Sequence, residues 1–279
     1  MIQITADSTC DLGASIGERG IGIMPLSVIL GTDSFLDGVN ITPQDIFSYV
    51  ETTKQLPKTA APSTGDYEEF FAKYVDEGKT VVHVNISSKS SAACSYAQKA
   101  AEKFGGKVFV VDSRALSSGQ GLLVMKICDF KESGMSAEEI VREAEKLIPK
   151  INTSFVPDRL DYLYKGGRCS RMAMYGANIL KIHPLIEMED GQLVAEKKYR
   201  GSMQKCISAY IADLAEKYPA YDRTRCFITH SSADAELVEC ARRKVAEYFT
   251  FDTVLETVAG SVITGHCGRN TLGVLFIAQ

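Results

Sequence analysis

Apolar, β-branched runs that alternate with helical patterns constrain the fold of this chain most strongly. Residues 80–86 form a run rich in β-branched side chains and residues 107–111 a second, mostly apolar run, which are typical of strands covered on both faces. Alanine-rich or amphipathic segments at residues 90–103 and 117–133 are typical of helices. Strands that alternate with helices in this way up to residue 148 predict a parallel sheet flanked by helices.

Further elements extend this pattern. Helices are predicted at residues 43–51, 66–76 and 136–147, with Thr42 as the N-cap of the first and with Ser136 and Glu139 as a capping box on the last.

Pro149 and the polar residues 150–153 mark a predicted domain boundary. Beyond it, Asp190-Gly191 separates two β-like runs and predicts a hairpin. Strands and helices follow to the end of the chain. We therefore predict two α/β domains, a mainly parallel one over residues 1–150 and one with a mixed sheet over residues 151–279.

Composition narrows the classes of function. A formal net charge of −4 argues against nucleic-acid binding by bulk charge. The first residues lack the pattern of a signal peptide, and no stretch approaches the roughly 20 apolar residues of a membrane helix. The eight cysteines form no CxxC pair and show no zinc-ligand spacing. These features predict a cytoplasmic protein with buried free thiols, no metal and no cofactor.

The segment Lys165-Gly166-Gly167-Arg168 is the strongest candidate for a binding motif. Glycines leave backbone N–H groups unshielded, and the flanking cations supply positive charge, so the loop can collect an anion. The alternative is a glycine turn with solvated basic residues.

Short hydroxyl and carboxyl side chains end several predicted strands, at residues 7–9, 87–88 and 112–113. Loops beyond the carboxyl ends of parallel strands are where such sheets bind ligands. The same residue types are also favoured helix caps, and for each of these groups capping is the preferred interpretation.

His266 is the most suggestive of the four histidines. It lies in a predicted polar loop at residues 265–270, where an imidazole could donate to an anion, carry a proton, or simply bond to the backbone. An enzyme that uses His266 with Ser91 or Asp112 remains an alternative. The sequence contains no Walker loop and no G-x-G-x-x-G that opens a helix.

Taken in order, several segments resemble the DegV family of fatty-acid-binding proteins. The resemblance covers nearly the whole chain. The matching segments are residues 5–12, 58–63, 86–91, 110–113 and 160–168, and Gly265-His266 followed by residues 271–273.

This resemblance implies two α/β domains with an acyl chain buried between or beneath them. It also implies a set of carboxylate-binding residues: the hydroxyls of Thr59 and Ser91, the backbone N–H of Ala92, and a polar network completed by Arg168 and His266. It implies no catalytic role for the chain, which would carry the lipid for a separate fatty acid kinase.

Two further expectations concern surfaces. Arg168, Arg171, Lys181 and Arg200 are a candidate basic surface for an acidic partner, with unrelated surface cations as the alternative. Transient contact with a membrane surface is also an expectation.

The chain departs from the family pattern at residues 60–61, 92–93 and 269–270. Ala92 replaces a glycine and narrows the approach to its N–H group, and Arg269 adds a charge that we expect near the site. Lipid carrier, enzyme, and scaffold with a structural lipid are the three functions left open, and the carrier is preferred.

Overall fold

The computed structural model describes residues 1–169 and 182–279 as strands and helices arranged around three sheets. In chain order, the strands are β1 (Ile2–Asp7), β2 (Gly22–Met24), β3 (Ser27–Leu30), β4 (Asp33–Leu36), β5 (Lys58–Ala60), β6 (Thr80–Asn85), β7 (Val108–Asp112), β8 (Ile151–Asn152), β9 (Ser154–Val156), β10 (Ile182–Glu189), β11 (Gln192–Arg200), β12 (Cys226–Ser231), β13 (Val254–Val258) and β14 (Thr271–Ile277). The helices are α1 (Ser15–Glu18), α2 (Pro43–Thr53), α3 (Thr64–Val75), α4 (Ala93–Ala101), α5 (Ser118–Glu132), α6 (Ala137–Leu147), α7 (Asp161–Gly166), α8 (Met203–Lys217), α9 (Ala235–Tyr248) and α10 (Ser261–Cys267).

The first sheet has the order β2-β1-β6-β7, and all its strands are parallel. The second has the order β11-β10-β9-β14-β12-β13, with β8 added beside β14, and combines antiparallel pairs with the parallel pair β12–β13. Both confirm the predicted α/β class with a parallel and a mixed sheet. The domain boundary at residue 150 stays a prediction.

The third sheet, β4-β3-β5, is small and antiparallel, and the sequence did not predict it. Its strands are only three or four residues long, too short for a clear period. It matters because β5 carries Thr59.

Helix caps follow the sequence prediction. Thr42 and Ser136 both form capping boxes, with Asp45 and Glu139 as the reciprocal partners. Ser63 and Asp66 form a third capping box at the start of α3.

The carboxyl group of Asp7, at the end of β1, is the centre of a buried hydrogen-bond network. Asp7 is fully buried and accepts hydrogen bonds from the Tyr67 hydroxyl at 2.6 Å and from the backbone N–H of Ile86 at 2.9 Å. His83 is buried beside it and bonds to the Thr5 hydroxyl at 2.9 Å. This network fixes the loop that follows β6.

Helix α10 is capped by two carboxyl groups from distant parts of the chain. The N–H of Gly260 donates to Asp11 at 2.9 Å, and the N–H of Ser261 donates to Asp37 at 2.7 Å. Asp11 and Asp37, which we call the α10 clamp, satisfy N–H groups that a helix start leaves unpaired. The clamp therefore joins the second half of the chain to the first.

Both carboxyl groups of the clamp are buried and have second partners. The Ser117 hydroxyl donates to Asp11 at 2.5 Å, and the Ser8 hydroxyl donates to Asp37 at 2.8 Å. Burial raises the pKa of both carboxyls, and the negative charge of Asp37 raises that of Asp11 further. The clamp is therefore a buried polar contact between the two halves of the chain.

The prediction that His266 lies in a loop is wrong. His266 is the sixth residue of α10 and is largely buried. A helix of seven residues is not stable by itself, so its local sequence carries little helical signal. The clamp supplies the missing stabilisation from outside the segment.

No helix in the described part of the chain is long and apolar enough to cross a membrane.

We predict that Asp37→Ala lowers the free energy of unfolding by about 2–4 kcal/mol, because it leaves buried donors at Ser8 and Ser261 without their acceptor. Asp37→Asn keeps an acceptor oxygen and should cost less. Chemical denaturation measures both, with the exposed neighbour Asp33→Ala as control. If Asp37→Ala is as stable as Asp33→Ala, the clamp does not stabilise the fold.

Candidate functional site

A cavity of about 360 Å³ lies between the loops of the first half and helix α10. Its polar lining includes Thr59, Ser90, Ser91, Arg168 and His266. Its apolar lining includes Leu26, Ile86, Leu116, Leu163, Val262 and Ile263. The structure thus brings Thr59, Ser91, Ala92, Arg168 and His266, which the resemblance selected, to one cavity.

Thr59 and His266 are in direct contact. The Thr59 hydroxyl lies 3.1 Å from Nε2 of His266, across a sequence separation of 207 residues. Because β5 supplies one partner and α10 the other, this contact depends on how the two halves of the chain pack.

The imidazole of His266 is neutral at physiological pH. Burial, together with the positive charge of Arg168, lowers its pKa to about 4. Among the described residues, its Nδ1 atom is buried and has no hydrogen-bond partner. Nε2, which lies beside the Thr59 hydroxyl, is therefore the ring nitrogen that forms a hydrogen bond.

Gly166 and Gly167 serve different purposes in the Lys-Gly-Gly-Arg motif. A Cβ atom at Gly166 would lie 2.8 Å from Nδ1 of His266, so the glycine makes room for the imidazole. Gly167 ends α7 with a φ of 66°, a conformation that glycine adopts without strain. The Arg168 guanidinium then bonds back to the carbonyl of Gly166 at 2.9 Å.

The start of α4 also faces the cavity. Ser91 and Ala92 line it just before the helix begins at Ala93. The Ser91 hydroxyl oxygen accepts the N–H of Ala93 at 3.2 Å, which leaves its own proton available to donate. A hydroxyl and a helix N-terminus at one place favour a negatively charged group.

A shallower groove of about 270 Å³ adjoins the cavity on the outside. Ser90, Arg168 and Leu193 line both spaces, whereas Lys89 and Gln192 line only the groove. Arg168 and Lys89 are both exposed. The polar end of the cavity is therefore next to a basic, solvent-facing surface.

Two predicted residues lie elsewhere. Asp112 lines a different groove and accepts hydrogen bonds from Ser88, so the pairing of His266 with Asp112 in the enzyme alternative is not formed. Arg269, which we expected near the site, packs over the ring of Phe47 at 4.6 Å and contacts α2 instead.

Of the candidate basic surface, Arg168 and Arg200 fall among the described residues. Arg171 and Lys181 lie outside the described residues. Arg200 is exposed at the end of β11, about 23 Å of extended strand from Leu193 at the mouth of the cavity. A surface shared by these cations and Arg168 stays a prediction.

Sequence reasoning missed the α10 clamp and most of the apolar lining. Asp37 lies in an ordinary turn after β4, and no local signal distinguishes it. Asp11 lies in residues 5–12, a segment that matched the family, and this was the only available hint. Leu163 adjoins the glycine motif, but nothing local shows that it faces a cavity.

Within residues 1–169 and 182–279, no group of three or more His, Cys, Asp or Glu side chains could hold a metal ion.

The fold and the cavity define an α/β protein with a largely apolar chamber whose wall also carries hydroxyl, cation and imidazole groups. Over residues 1–279 the chain matches the family model described as an uncharacterised protein of the DegV family, and it belongs to that family.

Relatives support this assignment. A DegV domain-containing protein of Clostridium acetobutylicum is 31% identical over 280 residues, which cover 100% of this chain and 99% of that protein. A protein of Thermotoga maritima named a fatty acid-binding protein is 30% identical, with coverage of 98% and 96% respectively. A solved structure described as fatty acid binding of a DegV family protein from Thermus thermophilus is 28% identical, covers 100% of this chain and 99% of that chain, and has a TM-score of 0.92.

We predict that His266 makes the fold sensitive to acid. Its pKa is about 4 in the folded protein and near 6.5 when exposed, so the unfolded chain takes up a proton first as the pH falls. Stability present above pH 6.5 is then lost towards pH 4, by about 2 kcal/mol at pH 5. Chemical denaturation of the wild type and His266→Gln at pH 7.5 and pH 5 measures the difference. Parallel losses in both proteins would show that His266 is not the cause.

Proposed function

We propose that this protein binds one long-chain fatty acid without catalysing a reaction, holds its carboxylate at the polar end of the cavity and presents it to a separate kinase in the cytoplasm. One observation supports the proposal: a single cavity that is apolar over most of its wall also carries hydroxyl, cation and imidazole side chains, with Thr59 and His266 in direct contact. The names of the Thermotoga and Thermus relatives support fatty acid as the ligand.

The apolar wall supplies the affinity. Each buried methylene group contributes about 0.8 kcal/mol, so a chain of a dozen methylenes gains about 10 kcal/mol before the cost of ordering it. A cavity of about 360 Å³ falls within the range of small-molecule sites. A long acyl chain is the ligand that gains most free energy from burial against such an apolar wall.

The polar end orients the ligand. We assign the ring proton of His266 to Nε2, which then donates to the Thr59 oxygen at 3.1 Å. The Thr59 hydroxyl proton is thereby free to donate to the carboxylate, as is that of Ser91. The N–H of Ala92 and the charge of Arg168 complete a site for one negative charge, which would cost several kcal/mol to bury unpaired.

Presentation to a kinase rests on the position of the outer groove. Arg168 and Ser90 line both the cavity and the groove, so a carboxylate bound there lies close to the surface. A partner that supplies ATP can reach the head group while the acyl chain stays buried. Neither role requires a catalytic residue from this chain.

We predict that Ser91→Ala lowers fatty-acid affinity about fivefold to tenfold, because it removes one hydrogen bond to a charged group, worth roughly 1–1.5 kcal/mol. Stability should change little. Native mass spectrometry of protein extracted with organic solvent and reloaded with fatty acid measures occupancy. Ser133→Ala is the matched control, since the Ser133 hydroxyl also bonds to the carbonyl three residues earlier, that of Phe130, and Ser133 does not line the cavity. Equal loading of wild type and Ser91→Ala would contradict the assignment of Ser91, and a wild type that takes up no fatty acid would overturn the proposed function.

We predict that Lys89→Glu leaves fatty-acid loading unchanged but slows phosphorylation of the bound acid by a bacterial fatty acid kinase several-fold, because Lys89 lines only the outer groove. Phosphate transfer from labelled ATP to the loaded protein is the measurement. Lys99→Glu, at an exposed position in the last turn of α4, is the control. Transfer at the same rate from both variants would exclude the groove as the docking surface.

A further inference from the structure

Strand β7 forms one edge of the parallel sheet, because the order β2-β1-β6-β7 ends with it. The N–H of Ser113, directly after β7, donates to the carbonyl of Asn85 on β6 at 3.2 Å. Residues that bond to the neighbouring strand alternate along a parallel pair, so the N–H and C=O groups of Val110 and Asp112 point away from β6. The described part of the chain places no strand beside these outward groups.

A groove of about 660 Å³ lies against this edge, and we call it the β7 groove. Its lining comes from β7 and α4, from the segment around β8, and from the end of the β10–β11 hairpin. The residues that line it are Gln98, Val110, Val111, Asp112, Arg114, Glu145, Ile148, Pro149, Ile151, Met188, Asp190 and Gly191. The outward backbone groups of β7 therefore border a space that a further chain segment can enter.

Apolar side chains supply much of the wall of the β7 groove. Val110, Ile148, Ile151 and Met188 are all half-buried, so each leaves part of its apolar surface exposed. Unpaired backbone groups beside apolar surface are what an added strand covers, because its backbone pairs with the edge and its side chains pack on the walls.

The charged side chains of the β7 groove are mostly acidic. Three carboxylates, those of Asp112, Glu145 and Asp190, line it against one guanidinium, that of Arg114, which leaves a formal local charge of −2. Arg114 is already ion-paired with Asp190. Lysine or arginine side chains on an added strand would complement this charge, whereas a second copy of the same groove would be repelled by it.

We propose that the β7 groove binds an extended, basic segment of a partner polypeptide, which adds a strand to the edge of the parallel sheet. Backbone hydrogen bonds to Val110 and Asp112 align the segment, and the carboxylates select its basic side chains. The inference goes beyond the proposed function, since no residue of the β7 groove lines the fatty-acid cavity or the outer groove beside it.

The probe for this site is a blocked peptide of seven alternating lysines and valines, titrated calorimetrically into the full-length protein. We expect the peptide to bind with an affinity that falls as salt is raised, and a version with glutamate in place of lysine to bind at least about tenfold more weakly. In the wild type, the amide protons of Val110 and Asp112 should exchange rapidly without peptide and slowly with it. The inward amide of Val111 should exchange slowly in both states.

Val110→Pro tests the backbone pairing directly. It removes an N–H that points away from β6, and an edge strand tolerates proline at such a position. We expect it to lower peptide affinity about tenfold or more, whereas Val110→Thr keeps the N–H and the side-chain shape and should bind like the wild type. Glu145→Lys should weaken binding several-fold by reversing one charge of the groove.

Equal affinity of Val110→Pro and Val110→Thr, or a wild type that does not bind the lysine–valine peptide, overturns the inference. A wild-type dimer in analytical ultracentrifugation that Val110→Pro dissociates also overturns it, because the occupant would then be a second copy of the chain. If Val110→Pro does not fold, as judged by circular dichroism, amide exchange in the wild type decides, and unchanged exchange at Val110 with saturating peptide overturns the proposal. Fatty-acid loading of the folded variants should equal that of the wild type, so failure of this inference is distinguishable from failure of the proposed function.

Discussion

The rest of the site depends on the capping of helix α10 by Asp11 and Asp37. A helix of seven residues does not form on its own, because the cost of its first turn exceeds what so few hydrogen bonds return. The two carboxyl groups satisfy the N–H groups of Gly260 and Ser261 from positions far away in the sequence. In doing so they fix the element that supplies His266 and Cys267 to the cavity wall.

The same capping explains why the two halves of the chain act as one site. Asp11, Asp37 and Thr59 come from the first half, whereas α10 comes from the second. A shift of α10 relative to the small sheet would break the 3.1 Å contact between His266 and Thr59. The geometry of the candidate site therefore depends on how the two halves of the chain pack against each other.

Charge at the polar end is kept low. Burial and Arg168 hold His266 neutral, so Arg168 supplies the full positive charge among the five residues that the resemblance selected. Hydroxyl and backbone N–H groups are the remaining hydrogen-bond donors, and they can bind a carboxylate without burying further charge. In the proposed function, the apolar remainder of the cavity contributes the affinity and the polar groups determine the orientation.

Local patterns predicted much of the scaffold. The β-branched run at residues 80–86 became β6, Asp190-Gly191 became the turn between β10 and β11, and Thr42 and Ser136 became capping boxes. These features are decided within a few residues, where side-chain spacing and hydrogen bonding to the adjacent backbone dominate. The glycine motif belongs to the same class, although the reason for Gly166 became visible only beside the ring of His266.

Other features were not predictable from local sequence. His266 was expected in a loop and lies in a helix, Arg269 was expected near the site and packs on Phe47, and the sheet β4-β3-β5 gave no period long enough to detect. The amino-acid sequence by itself determined which segments form strands, turns and capped helices, and through its resemblance to a family it indicated which side chains to examine. Only the tertiary structure decided that Thr59 meets His266 and that Asp11 and Asp37 cap α10. Those contacts join residues as many as 249 positions apart, and their free energy comes from packing and burial that no local pattern encodes.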